Sequence, residues 1–227
     1  MEIVLELSKS SVFVKEPPTA NKKVIGLFEK QLYEYLLILS PYGFLRDRLI
    51  TEKEYFTEHI GNEDAVRSLP HITLANFILS NYKQDDITFL LKSVAANSNC
   101  IKVVLENYKW FPHHTIYFDV KYKVDIKQLV RKISYAIKRH IKDDKNIYPP
   151  HFILTPHLTL CKRMSLEEYE KSKVEYTGLT FSDQFTADYM LLLRRPIDGS
   201  DNYKEVGRFE FGGPESCNIT SQLKLFE

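Results

Sequence analysis

Pro70-His71-Ile72-Thr73-Leu74 returns later in the chain as Pro156-His157-Leu158-Thr159-Leu160. In an extended strand, alternate side chains share a face. Each copy therefore sets a histidine and a threonine on one side and two branched apolar residues on the other. The apolar side requires a core. The His/Thr side has no such reason for burial, so each copy reads as half of a polar site built on a rigid strand. A single His-x-Thr is ordinarily a satisfied core or surface histidine, and His113-His114-Thr115 is such a case. It lacks the leading proline and falls at the mouth of a strand, after Phe111-Pro112. Five matching positions in a repeated unit set the other two copies apart.

Outward from the first copy, Leu32 to Leu39 is a continuous apolar strand ending at Ser40-Pro41, as expected for a central position in a sheet. Leu49, Phe56 and Ile60 share a helical face that Gly61 terminates. The first His-Thr strand runs from Ile72 to Leu79. Ile87, Leu90, Leu91 and Val94 then predict a helix capped by Asp85 or Asp86 and ended by Asn97-Ser98-Asn99. Two strands follow, Ile101 to Tyr108 and Thr115 to Val120, joined through Trp110-Phe111-Pro112. Asp125 is the expected cap of a helix with Ile126, Leu129, Val130, Ile133, Ile137 and Ile141 on its inner face. Its outer face carries Lys127, Arg131, Lys132, Lys138, Arg139 and Lys142, which reads as a solvated face ahead of an RNA track.

Tyr148-Pro149-Pro150 leads into the second copy, and Ser165 to Glu168 is a capping box opening a helix to Val174. Strands are expected at Phe185 to Arg194 and Tyr203 to Phe211, with a turn at Asp198-Gly199-Ser200. Residues 1–30 read as an N-terminal extension, with short strands at Ile3-Val4-Leu5 and Val12-Phe13-Val14 and a helix from Asn21 to Glu29. Gly212-Gly213-Pro214 closes the main domain of residues 31–212, leaving 213–227 as a C-terminal tail. Strand, helix, His-Thr strand, helix and paired strands thus appear once, and the scheme then recurs from the next helix. This is a duplicated α+β unit. Two halves around a pseudo-twofold axis would bring both His/Thr faces to one groove.

A length of 227 residues accommodates one sizeable domain or two tightly joined halves. The net charge of +1 means that any nucleic-acid partner must be met by a local patch. Cys100, Cys161 and Cys217 are scattered and without CxxC spacing, so neither a disulfide framework nor a zinc site is indicated. With no signal peptide and no apolar run of membrane-spanning length, the expectation is a soluble, cytoplasmic, reduced protein.

A neutral histidine can take a proton from an attacking water or hydroxyl, and a protonated one can give a proton to a leaving oxygen. The threonine two positions on lies on the same side, where its hydroxyl can donate to a non-bridging phosphate oxygen. A pentavalent phosphorane gains most from those donors. The matching reaction is in-line phosphoester cleavage, and a ribose 2′,3′-cyclic phosphate suits it because its ring is strained and no metal is required. Lys162, Arg163, Arg194 and Arg195 are candidate phosphate partners, and Tyr42, Trp110 and Tyr203 candidate base stackers. His151, His157 and Cys161 match no zinc spacing and lack a fourth ligand, so no metal or other cofactor is assigned. Cys161 reads as a bland thiol.

The two His-x-Thr motifs resemble those of the 2H phosphoesterases, in particular the LigT-like group of 2′-5′ RNA ligases and RNA 2′,3′-cyclic phosphodiesterases. Looser support comes from the Trp110-Phe111 to Val120 strand and the closing Leu191-Leu192-Leu193 and Tyr203 to Phe211 pattern, and the likeness spans residues 31–212. It implies a bilobal α+β fold of duplicated strand-helix units, with two mainly antiparallel sheets around a central cleft and helices outside. It implies that His71 and His157 are catalytic, that Thr73 and Thr159 hold the phosphate, and that a cyclic phosphate is hydrolysed to a 2′-phosphate without a metal. In some members 2′-5′ ligation accompanies this. The partner implied is an RNA terminus or a cyclic nucleotide; neither a membrane nor a protein partner is indicated. The alternatives are a phosphodiesterase on 2′-5′ oligoadenylate or cyclic oligonucleotides, and a non-catalytic RNA- or nucleotide-binding module. Cys161-Lys162 stand where the family has a small residue and then arginine, and Arg194-Arg195 where a serine is common.

Overall fold

A computed structural model describes residues 31–141 and 149–213. The expectations for residues 1–30, for the Ile141 side chain, for Lys142 and Tyr148, for Cys217 and for the tail lie outside the described residues. The elements are β1 (Leu32–Leu39), α1 (Gly43–Ile60), β2 (Ile72–Ser80), α2 (Gln84–Ala96), β3 (Ile101–Phe111), β4 (Thr115–Val120) and α3 (Val124–Ile141). They continue as β5 (His151–Phe152), β6 (His157–Lys162), α4 (Leu166–Tyr176), β7 (Ser182–Ala187), β8 (Tyr189–Pro196) and β9 (Lys204–Glu210).

The strands form two four-stranded antiparallel halves, β7-β3-β4-β6 and β2-β1-β8-β9, with β5 on the inner edge of β2. The halves meet through one pair, Ile72 opposite Leu158, so the two motif strands lie side by side at the centre. The repeat is β1-α1-β2-α2 and then β4-α3-β6-α4, and its helices are exchanged. Helix α1 packs against β6, β7 and α4, whereas α3 packs against β2 and α2. The outer strands are shared out as well, β3 and β7 to the half carrying β6, and β8 and β9 to the half carrying β2.

The apolar stripes explain the helices. Leu45, Leu49, Phe56 and Ile60 of α1 are buried, as are Ile87, Leu91 and Ala95 of α2 and Ile126, Leu129, Val130, Ile133 and Ile137 of α3. Gly61 ends α1 in the left-handed conformation (φ 95°), which favours glycine because it has no Cβ. The capping box opens α4 as expected: the Ser165 hydroxyl accepts from the Glu168 amide, and the Glu168 carboxylate accepts from the Ser165 amide.

Four expectations are corrected. Asp85 and Asp86 lie in the first turn of α2, where the cap position is Lys83, because a 3-10 turn over Asn81–Lys83 runs straight into the helix. Asp125 likewise lies inside the first turn of α3; both helices still gain from acidic charge at their N-termini. The strand expected from Phe185 to Arg194 is two strands that break at Asp188 and serve opposite halves. No glycine or proline marks that break, and the apolar pattern runs through it. Cys100 is disulfide-bonded, so the all-thiol expectation fails there, scattered cysteines carrying no pairing signal.

Candidate active site

The antiparallel register at Ile72–Leu158 sets Thr73 opposite His157 and Thr159 opposite His71. Ile72 and Leu158 are fully buried against the helix layer. By alternation, all four motif side chains lie together on the other face of the sheet. Both threonines and both histidines there are half-buried. Each motif ends in a β-bulge at its leucine. On β2, Ile38 opposes Thr73 but Leu37 opposes Ala75, skipping Leu74; on β6, Tyr117 opposes Thr159 but Ile116 opposes Cys161, skipping Leu160. The bulges bend both strands just past the threonine and re-aim the side chains beyond it.

The imidazoles are held alike. His71 Nδ1 lies 2.7 Å from the Leu69 carbonyl oxygen and His157 Nδ1 2.8 Å from that of Thr155. A carbonyl only accepts, so Nδ1 carries the proton in both rings and Nε2 is the nitrogen left to exchange one. Neither threonine hydroxyl has a hydrogen-bond partner among the described residues, which leaves both for a ligand.

Their surroundings differ. Burial pushes the pKa of His71 down to about 4; the Leu69 bond opposes this, and the positive charges of Lys53, Lys162 and His157 add to it. Burial also lowers that of His157, opposed by the Thr155 bond, with Lys123 lowering it and Asp119 raising it. Asp119 sits opposite His157 on β4, held by Lys109 at 2.6 Å and Lys123 at 2.5 Å. Burial alone would raise the Asp119 carboxyl, but these two lysines hold it below the usual range. Two aromatic rings meet His157 edge-on, Phe111 at 4.9 Å and Tyr117 at 5.2 Å between centroids.

Lys53, Asp119, Phe111 and Tyr117 were not singled out in the sequence, although Lys53 carried a signal. It lies four residues after Leu49 and three before Phe56, on the apolar stripe of α1, and is only 3% exposed. Its ammonium donates to the Ala65 carbonyl at 2.8 Å. Burial lowers its pKa to about 8.

The outer candidates separate. Lys162 is exposed at the end of β6 and belongs to the charge field of His71. Arg163 instead spends its guanidinium on Asp64, at 2.6 Å, which pins the end of β6 to the turn after α1. Arg195 pairs with Glu34 at 2.6 Å and stacks 4.5 Å over Tyr203; Glu34 also accepts from Asn76 at 2.8 Å. Asn76 and Arg195 are on the His/Thr face beyond the bulge.

Arg194 is its neighbour on β8 and therefore points the other way. It donates to Gln84 of α2 and stacks 4.5 Å over Tyr33, so it is not carried into the site. Tyr42 is 43% exposed, within the charge field of Asp188, Tyr189 and Arg208. Trp110 is structural, its indole N–H donating to Ser172 at 3.0 Å. Cys161 is 1% exposed, because the bulge at Leu160 turns it away from His157; burial raises its thiol to about 12. That orientation also separates it from any metal set with His157. His113 and His114 lie in the turn between β3 and β4.

The family model described as the 2′-5′ RNA ligase superfamily matches residues 47–198. No curated protein matches the chain. Among solved structures, LigT of E. coli complexed with 3′-AMP is similar with a TM-score of 0.53 at 12% identity, covering 80% of this chain and 98% of that one. A structure described as a phosphoesterase gives 0.52 at 13% identity, covering 81% and 99%. TT0787 of Thermus thermophilus gives 0.50 at 12% identity, covering 80% and 99%. At these identities the likeness is one of fold. It agrees with the bilobal α+β architecture that the resemblance implied. No helix among the described residues is long and apolar enough to cross a membrane.

Proposed function

The chain belongs to the 2′-5′ RNA ligase superfamily, and from that premise we propose that it hydrolyses a ribose 2′,3′-cyclic phosphate to the 2′-phosphate by two-histidine acid–base catalysis. The observation that carries this reading is the Ile72–Leu158 register, which sets each histidine opposite the other motif's threonine on one face. His71, the imidazole more strongly held neutral, takes the proton of the attacking water. His157, beside the Asp119 carboxylate, returns a proton to the leaving 3′-oxygen. The water oxygen bonds to phosphorus as the bond to the 3′-oxygen breaks. The Thr73 and Thr159 hydroxyls donate to the non-bridging oxygens as charge builds on them. Lys162 adds a cation at the same rim.

The test is direct. The protein is incubated with nucleoside 2′,3′-cyclic phosphates, linear 2′-5′ oligonucleotides and cyclic oligonucleotides, and the products are resolved by phosphorus NMR. A 2′-phosphate from the cyclic monophosphates is expected, at a rate unchanged by EDTA. A 3′-phosphate product, or turnover confined to the oligonucleotides, overturns the proposal.

The depressed histidine values set the pH dependence. In the free protein His71 is neutral above about pH 4, so the acid limb of kcat/KM lies well below the ordinary histidine value. His157 must be protonated, and its lowered pKa makes kcat/KM fall before pH 6.5 is reached from below. A bound phosphodiester anion favours both imidazolium forms, so the kcat optimum lies at higher pH than that of kcat/KM. Lys53→Met removes one cation that opposes protonation of His71. The acid limb should move up by on the order of half a pH unit; an unmoved limb would remove Lys53 from the electrostatics of the site.

A further inference from the structure

A groove of about 510 Å³ lies on the other side of β5, between that strand and the outer face of α3. Arg131, Tyr135 and Lys138 of α3 line one wall, and Phe152 and Leu154 the other. Its chemistry is basic and aromatic together. Tyr135 is 70% exposed, and the Lys138 ammonium lies 5.4 Å from the centre of the Phe152 ring. Arg139 approaches Tyr135 from the next turn, its guanidinium 5.8 Å from that ring. Among the described residues, neither Arg131 nor Lys138 forms an ion pair with a carboxylate. Cations set between accessible rings suit a single nucleic-acid strand, whose phosphates take the charges and whose bases take the ring faces.

The groove adjoins the candidate active site through β5. Phe152 pairs with Ala75 and His151 with Asn76, directly beyond the bulge that follows Thr73. By alternation, one residue of this two-residue strand serves each face: His151 stands beside Asn76 on the His/Thr side, and Phe152 enters the groove. Leu154 lines the groove, and the next residue, Thr155, supplies the carbonyl that holds His157.

We propose that the α3–β5 groove binds the body of a single-stranded RNA whose 3′ end occupies the two-histidine site. The inference rests on the cyclic-phosphodiesterase reading for the end of the strand, but RNA binding in the groove has its own readout. Affinity for a single-stranded RNA of about ten nucleotides, with an ordinary 3′-hydroxyl end, is measured by fluorescence anisotropy across a salt series. The wild type is compared with the double variant Arg131→Glu/Lys138→Glu and with Tyr135→Ala. Turnover is then compared between a nucleoside 2′,3′-cyclic phosphate and the same RNA ending in a cyclic phosphate.

The charge variant should bind RNA about tenfold or more weaker, with a shallower salt slope. Tyr135→Ala should weaken binding about fivefold or more at every salt concentration. Both should lower kcat/KM for the RNA while leaving the mononucleotide unchanged. Unchanged RNA affinity overturns the proposal, whether the groove then takes an acidic peptide or nothing. Equal losses on RNA and mononucleotide also overturn it, since they report a disturbed catalytic face. Should the wild type cleave neither substrate yet bind RNA through these residues, the catalytic reading fails and the groove stands.

Discussion

His71→Ala and His157→Ala should each lower turnover of a nucleoside 2′,3′-cyclic phosphate by about a hundredfold to ten-thousandfold, the usual range for loss of one positioned acid or base. The fold should survive, because both rings are half-buried on the His/Thr face while the apolar partners Ile72 and Leu158 remain in place. The double variant should be little worse than the poorer single one, since the two groups act as a unit. The two losses are distinguishable by leaving group. A phosphodiester ester of an acidic phenol needs little protonation as it departs, so it should recover much of the rate in His157→Ala and little in His71→Ala. Recovery in the opposite variant reverses the assignment of base and acid. Full activity in the double variant would end the two-histidine mechanism.

Phe118→Ala should destabilise the protein by about 3–5 kcal/mol, as for large aromatic truncations in a closed core. Phe118 is fully buried at the centre of β4, between Tyr108 of β3 and Leu158 of the second motif. Its ring lies 5.1 Å from that of Tyr108 and 4.4 Å from that of Phe181. Truncation removes those contacts and leaves a space that two paired strands hold open. For a domain of this size the melting temperature should drop on the order of 10 °C. The strand carrying His157 loses its backing, so activity should fail on warming before that of the parent protein. A urea-unfolding difference under about 1 kcal/mol would refute this account of the seam.

How much of this was readable beforehand depends on the range of the interaction involved. Periodicity and local capping act over a few residues; periodicity located the four helices of the described residues and the continuous apolar strand β1, and capping located the box at Ser165. Repetition did the same for the two motifs, since the same order of polar and apolar residues imposes the same alternation at both places. The break at Asp188 escaped because the apolar pattern continues across it. What separates β7 from β8 is that each has a different neighbour, β3 for one and β1 for the other.

The candidate site divides along the same line. Residue types and spacing were enough to identify His71, Thr73, His157 and Thr159 as two matched polar faces on strands with a shared core. Pairing and packing then sorted the surrounding residues. Bulges at Leu74 and Leu160 exist only against β1 and β4, and one of them hides Cys161. Arg194 and Arg195 are equivalent in composition, yet the pleat sends one to Gln84 and the other to Glu34 on the His/Thr face. The inequality of the two histidines comes first from how deeply the fold buries each ring and then from charges such as Lys53 on α1 and Asp119 on β4, both remote in sequence from the ring that each acts on. A charge acts through space, so its effect on a neighbour's proton is set by where the chain folds it.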